Sequence, residues 1–351
     1  MNTLQLGNLL VGEEQPTFII AEIGINHQGN FNIARELIKT AKECGANAVK
    51  FQKRSISRIL TKEGLEMPYV NQNSFGKTYG EHKKALELSD SDYQTLNTYC
   101  RDLDIIFSAS GWDEESIDFL YKLDVPFFKI TSADMTNFPL LTHTAQKDKP
   151  MIISTGMANM EMVKSAYSLV QPINNQIAIL QCTSTYPSAF SEVHLNVLQT
   201  YIKEFPDAII GYSGHEQGIA IPPAAVALGA KIIERHFTLD RTMKGGDHSA
   251  SLEPQGFAKM VRDIRAIEDA MGNSQKVIQK SEAPVFKKLA KSIVSAVEIT
   301  SGTPITINML TTKGPGTGLS PMRMNELVGR TSTRDIPADQ VITNEDIQWQ
   351  T

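Results

Sequence analysis

The chain has 351 residues, 41% of them hydrophobic and 21% charged, with a formal net charge of -5, so it can bury a large core without disulfides. No run of about eighteen apolar residues is present to span a bilayer, and no Lys/Arg-rich run supplies the clustered charge that a nucleic-acid backbone needs. The opening MNTLQLGNLLVGEEQPTF lacks the basic and apolar regions of a secretory leader and the cysteines (Cys44, Cys100, Cys182) are scattered, so a reduced, soluble, cytoplasmic protein is expected.

In chain order, eight β-branched or aromatic runs predict strands: Phe18 to Gly24, Ala48 to Gln52, Ile105 to Ser110, Phe127 to Ser132, Met151 to Thr155, Ile177 to Ser184, Ala208 to His215 and Lys231 to Thr238. Helical periodicity fills the gaps, as over Asn32 to Cys44, Asp113 to Leu123, Met160 to Val170, Leu195 to Phe205 and Pro254 to Met271. Strict alternation implies an α/β fold with a parallel sheet, and eight units in about 255 residues match a closed (β/α)8 TIM barrel. The runner-up, an open doubly wound sheet, usually has a Gly-rich first turn, and Ile25-Asn26-His27-Gln28-Gly29 is no GxGxxG.

The pattern changes near Gly272. Residues 1–275 are expected to form the barrel domain, 276–288 a polar linker and 289–351 a small β-rich domain. Within the last, 297–310 repeats weakly as 334–347, pairing Glu298/Asp335, Ile299/Ile336, Ile305/Ile342, Thr306/Thr343 and Leu310/Ile347, which predicts two related β-turn-β units. A module of that size has a marginal core, so it is expected to dock on something else.

In such a barrel the reacting groups sit at the C-terminal ends of the strands, and inward positions recur with period two. The polar residues follow that rule: Glu22; Lys50 and Gln52; Ser110; Lys129 and Ser132; Ser154 and Thr155; Ser184 and Tyr186; Ser213 and His215; Glu234 and His236. Any one of them reads more plainly as a surface-facing strand polar, but their joint recurrence argues for a site. Two buried lysines with several hydroxyls, and no matching acids on neighbouring strands, predict a pocket for phosphate or carboxylate. His215 and His236 end adjacent strands, so they read as ligands of a divalent metal, with Glu22 and Glu234 on the same rim, against the plainer reading of satisfied core histidines. Imidazole with oxygen donors suits Mn, Fe, Co or Zn more than Ca. Phe75, Tyr79 and the Trp112 region read as packing.

Several segments then resemble a known family: Phe18-Ile-Ile-Ala-Glu-Ile-Gly-Ile-Asn-His-Gln-Gly29, Ala48-Val-Lys-Phe-Gln52, Phe128-Lys-Ile-Thr-Ser132, Ile153-Ser-Thr-Gly-Met157, Gln181-Cys-Thr-Ser-Thr-Tyr-Pro187, Gly211-Tyr-Ser-Gly-His215 and the stretch from Leu228 to Asp240. From about residue 8 to the end, the chain resembles the sialic acid synthases, also called N-acylneuraminate synthases. Ser292-Ile-Val and Leu327-Val-Gly-Arg330 resemble the antifreeze-like (SAF) domain that those enzymes carry. The resemblance implies condensation of phosphoenolpyruvate with the open-chain aldehyde of an N-acylmannosamine or its 6-phosphate, with C–O cleavage, to give a nine-carbon 2-keto acid and phosphate.

Carried over residue by residue, the resemblance implies that Lys50, Ser110, Lys129, Ser132, Ser154, Ser184 and Ser213 hold phosphoenolpyruvate, and that Gln52, Asp134, Tyr186 and Asp247 contact the sugar. Glu22 would position or deprotonate the water or sugar hydroxyl that completes the tetrahedral intermediate, and Glu234 would order that water. His215 and His236 would bind the cation, Mn2+ first, with Mg2+ or Co2+ as alternatives, for Lewis-acid activation of the aldehyde. The partners implied are these small molecules and a second copy of the chain, in a homodimer with each small module over the other's barrel mouth. Two departures stand out: Ser184 where the family commonly has Asn, and Lys313-Gly314-Pro315-Gly316 where many bacterial members read KRPG. The missing arginine at Gly314, with Lys77, Lys83 and Lys84 after the second strand, points to a 6-phosphorylated sugar. The competing readings are synthases of Kdn, legionaminate or pseudaminate type, a metal-dependent aldolase on the same barrel, and a non-enzymatic ice- or carbohydrate-binding protein.

Overall fold

The computed structural model describes residues 3–349, which form two compact units meeting in sequence at Gly272 and Asn273. The first unit opens with a hairpin that the sequence reading did not select: β1 (Thr3–Leu6) pairs antiparallel with β2 (Leu9–Gly12). Its signal was a two-residue Gly7-Asn8 turn between apolar runs, with Gly7 at φ +63°, a conformation glycine adopts without strain. Leu4, Leu6 and Val11 bury against Phe18, Phe127, Ile152, Ile209 and Ile232, so the hairpin closes the end of the barrel where the strands begin.

Eight parallel strands form the barrel, as the alternation implied. They are β3 (Phe18–Gly24), β4 (Ala48–Lys53), β5 (Ile106–Gly111), β6 (Phe128–Ile130), β7 (Met151–Ser154), β8 (Ile177–Cys182), β9 (Ile209–Gly214) and β10 (Ile232–His236), closed by pairing of β10 with β3. Helices start where a side chain accepts from an otherwise unpaired backbone N–H: Asn30 before Phe31–Glu43, Asp113 before Glu114–Lys122 and Asn159 before Met160–Val170. Their apolar faces, among them Leu37, Ile38, Ile117, Leu120 and Val163, complete the core around the barrel. Several strands are shorter than the apolar runs suggest, and at β6 and β8 this moves site residues. Because β8 stops at Cys182 and a 3-10 turn over Ser132–Asp134 follows β6, Ser132, Ser184 and Tyr186 stand on loops just beyond the strand ends. Among the described residues no helix is long and apolar enough to cross a membrane.

In the second unit β11 (Ser292–Ser295) pairs with β12 (Leu310–Lys313), and β13 (Thr331–Ser332) with β14 (Ile347–Gln348). The repeat has a physical form here. Ile299 and Ile336 exchange backbone hydrogen bonds, each N–H donating to the other's carbonyl at 2.8 Å. Ile305, Ile342, Leu310 and Ile347 join them in one core with Ile293, Leu319 and Leu327. In both copies a 3-10 turn, Ile307–Met309 or Asn344–Asp346, leads into the second strand. The stretch read as a linker is not structureless, since it holds a 3-10 turn at Lys280–Glu282 and runs into a helix over Ala283–Leu289, which has a proline in its first turn.

Candidate active site

Strand register places the reactive groups. Glu22 on β3 lies beside Lys50 on β4 and beside His236 on β10, while Ser213 on β9 lies beside Glu234 on β10. Lys50 Nζ meets Glu22 Oε2 at 2.6 Å, Ser110 Oγ at 3.0 Å and Glu234 Oε1 at 4.0 Å. Lys129 Nζ donates to Ser154 Oγ at 2.7 Å and lies 3.6 Å from Glu234 Oε1. The expectation of lysines without acidic partners is therefore corrected. Glu22 stands one strand away from Lys50, and Glu234 reaches Lys129 across the barrel interior, where strand order does not reveal neighbours.

These groups line a cavity of about 240 Å3, whose wall also includes Gln52, Ser132, Ser184, Tyr186, His215 and His236. Trp112, expected to be packing, and Cys182, one of the scattered cysteines, line it too. Three predicted residues do not line it. Ser110 is buried, accepting from Lys50. The Asp134 carboxylate accepts from Asn137 Nδ2 at 3.1 Å and Thr131 Oγ1 at 3.2 Å and so ties down its own turn. Asp247 stands at the edge, with Oδ2 3.8 Å from His236 Nδ1.

Two glycines keep the site open. A Cβ on Gly24 (φ +55°) would lie 3.1 Å from Glu22 Oε1, 3.2 Å from Gln52 Nε2 and 3.3 Å from Asp247 Oδ2, so three polar groups converge over its bare backbone. Gly156 donates its N–H to Ser132 Oγ at 3.0 Å, and a Cβ there would fall 2.1 Å from Ser184 Oγ. Both hydroxyls reach the cavity because that carbon is missing.

Electrostatics separate the two carboxylates. Burial pushes Glu22 up to about 7 against the pull of Lys50, whereas for Glu234 the same burial is outweighed by Lys129 and Lys50, which hold it below its ordinary value. Environments that drive two acids apart mark one as proton carrier and the other as fixed charge. Burial lowers Lys129, while Lys50 is held above its ordinary value because Glu22 and Glu234 outweigh its burial.

The imidazoles of His215 and His236 lie 5.3 Å apart between ring centroids, and the Tyr186 ring packs against both. His215 Nδ1 donates to the Thr183 carbonyl at 2.8 Å, so Nε2 keeps its lone pair. Burial, and then His215 itself, keep His236 well below the ordinary imidazole value, and its Nδ1 is buried without a hydrogen-bond partner. An orphaned imidazole nitrogen beside a second imidazole fits a divalent cation. Among the described residues no group of three or more His, Cys, Asp or Glu side chains gathers to hold a metal.

A network unseen in the sequence holds these two strand ends together. Glu216 follows His215 and Arg235 precedes His236; Arg235 Nη1 donates to Glu216 Oε1 and Tyr212 Oη to Glu216 Oε2, both at 2.6 Å, all in the interior. The only sequence signal was a charged residue adjoining each histidine.

The profile of the NeuB family matches residues 37–276, and that of the SAF domain residues 290–348. The chain belongs to the NeuB family. It is 48% identical over 339 residues to the N-acetylneuraminate-9-phosphate synthase of Mus musculus, covering 96% of this chain and 94% of that relative. It is 49% identical over 336 residues to the Homo sapiens protein of the same name, covering 95% of this chain and 94% of that relative. The crystal structure of N-acetylneuraminic acid (sialic acid) synthetase from Leptospira borgpetersenii serovar Hardjo-bovis, in complex with citrate, superposes with a TM-score of 0.71 at 32% identity, covering 81% of this chain and 95% of that one.

In this NeuB-family barrel Glu216→Ala strands Arg235 in the interior, and the expected loss of stability is about 3–5 kcal/mol. Urea unfolding reads it directly; a midpoint equal to the parent's would show that the pair does not hold these strand ends.

Proposed function

We propose that the chain condenses phosphoenolpyruvate with N-acetylmannosamine 6-phosphate to give N-acetylneuraminate 9-phosphate and inorganic phosphate. The observation that carries this reading is the gathering of two lysines, four seryl hydroxyls, two carboxylates of opposite tendency and two imidazoles around one cavity in a NeuB-family barrel. Lys50 and Lys129, with Ser132, Ser154, Ser184 and Ser213, match the phosphate and carboxylate of phosphoenolpyruvate, because ammonium and hydroxyl donors are the groups that replace its water. Gln52, Tyr186 and Asp247 are assigned to the sugar.

In the reaction the phosphoenolpyruvate methylene carbon bonds to the aldehyde carbon, water adds at the former enol carbon, and that carbon loses phosphate by C–O cleavage. Glu22, the proton carrier of the pair, accepts the proton of that water, and Glu234, held ionised by the lysines, orients it. His215 and His236 are assigned to a divalent cation, Mn2+ first and Mg2+ or Co2+ as alternatives. When bound, the cation polarises the sugar's aldehyde oxygen as a Lewis acid. Lys50 and Lys129 hold the phosphate that leaves.

A metal-dependent aldolase on the same barrel would release no phosphate from phosphoenolpyruvate. The deciding assay is phosphate release with N-acetylmannosamine, its 6-phosphate or mannose 6-phosphate, each with and without Mn2+. Absence of release in every arm overturns the synthase reading.

Glu22→Gln keeps the shape and removes the base, so kcat is expected to fall by roughly two powers of ten or more while phosphoenolpyruvate still binds. Since the carboxylate forms as pH rises through about 7, the parent's kcat/KM should climb through that range and the variant should lose this limb. A near-normal rate takes Glu22 out of the mechanism. Excess chelator is expected to abolish turnover, and His215→Ala and His236→Ala each to weaken Mn2+ binding measured by electron paramagnetic resonance; unchanged binding in both would relocate the cation. Finally, a homodimer is proposed, because the second unit's core is small and gains burial by docking. Sedimentation of a fully active monomer at working concentration would exclude it.

A further inference from the structure

Near the cavity lies a second group of cations, in which the terminal nitrogens of a buried arginine have no partner. Arg54 directly follows β4, its side chain is 1% exposed, and its Nε donates to Glu87 Oε1 at 2.5 Å. Its Nη1 and Nη2 are both buried without a hydrogen-bond partner. Interior guanidinium groups normally have their donors satisfied, so an open fork marks a place for an acceptor that the protein itself does not supply. Lys83, on the helix Tyr79–Ala85, holds its Nζ 5.7 Å from the centre of the Trp112 ring, and Arg54 Cζ is 5.9 Å from the same ring. Burial and the Arg54 charge bring the Lys83 ammonium down to about 8, the mark of cations crowded together out of water.

Two residues connect this place to the reaction. Trp112 lines the catalytic cavity, and its Nε1 is buried and unpartnered as well. The Asp247 carboxylate lies 3.8 Å from His236; burial raises it above its ordinary value, against the pull of His215 and then of Lys83 and Arg54, so its charge reaches both the imidazoles and this group of cations.

We propose that Arg54 and Lys83, over the Trp112 ring, form a second anion subsite that receives the phosphate at the far end of the sugar. The assignment rests on the reading of the sugar as a 6-phosphate. Gln52 Nε2 and Asp247 Oδ2 converge over Gly24 between the two places, so a sugar with its aldehyde at His215 and His236 would pass them and bring its terminal oxygens toward the unfilled donors. A phosphate offers two oxygens to the open edge of the guanidinium and a third to the ammonium, while Glu87 fixes the guanidinium through Nε. Of the three lysines after the second strand that the sequence offers for a second phosphate, Lys77 and Lys84 are exposed, which leaves Lys83.

Lys83→Ala tests the subsite with the least disturbance. Arg54→Gln made together with Glu87→Gln removes both halves of the buried pair, and melting temperatures report whether each variant folds. The measurements are kcat/KM for N-acetylmannosamine 6-phosphate and for N-acetylmannosamine, at saturating phosphoenolpyruvate and Mn2+, and calorimetric binding of the 6-phosphate without phosphoenolpyruvate. The expected result is a parent preference for the 6-phosphate that falls about tenfold or more in Lys83→Ala, carried by KM, with calorimetric affinity weakened in step. Lys83→Ala decides alone if the double variant does not fold. A preference unchanged by the substitutions, or absent from the parent, overturns the subsite and leaves the synthase reading standing. No phosphate release with either sugar overturns the synthase reading and the subsite with it.

Discussion

The mouth of the barrel depends on keeping Lys50 charged in the interior. Moving an ammonium out of water costs several kcal/mol even after the protein relaxes, and close opposite charge is what offsets it. Glu22 at 2.6 Å and Glu234 at 4.0 Å supply that charge, and Glu234 also serves Lys129. Two cations and two anions then balance in one enclosed space. Because Glu22 takes up a proton near pH 7, the balance tips toward positive charge within the ordinary range, which favours an arriving phosphate or carboxylate.

Two other buried Arg–Glu pairs separate holding from receiving. Both terminal nitrogens of Arg235 donate, to Glu216 and to the Gly218 carbonyl, leaving only Nε unpartnered, and Tyr212 completes the carboxylate, so this pair joins the ends of β9 and β10. Arg54 has the same burial and one good contact to Glu87, yet both its terminal nitrogens stay open beside a cavity wall. The same residue pair thus braces the protein in one place and presents donors in the other.

The second unit obtains a core from very little chain by using one pattern twice. Reciprocal hydrogen bonds between Ile299 and Ile336 set the two copies face to face, and the matched isoleucines and leucine fill the space between them. Packing does not force glycine at position 314: a Cβ there would meet the nearest backbone oxygens at 3.6 Å and 3.7 Å, ordinary contact distances.

Residue order alone carried the architecture. Alternating periods of two and 3.6 residues implied eight parallel strands with outer helices, and polar residues at strand ends marked the mouth, because both patterns are local. It also exposed the repeat of the second unit, since matched apolar positions survive in a single chain. Only the tertiary structure revealed that Glu234 answers Lys129, that Cys182 and Trp112 belong to the cavity wall, that Asp134 ties down its own turn, and that Arg54 leaves its fork open near Lys83. Closing the barrel brings side chains from opposite strands and distant loops around one axis, and the distances across that axis are written in no local pattern of residues.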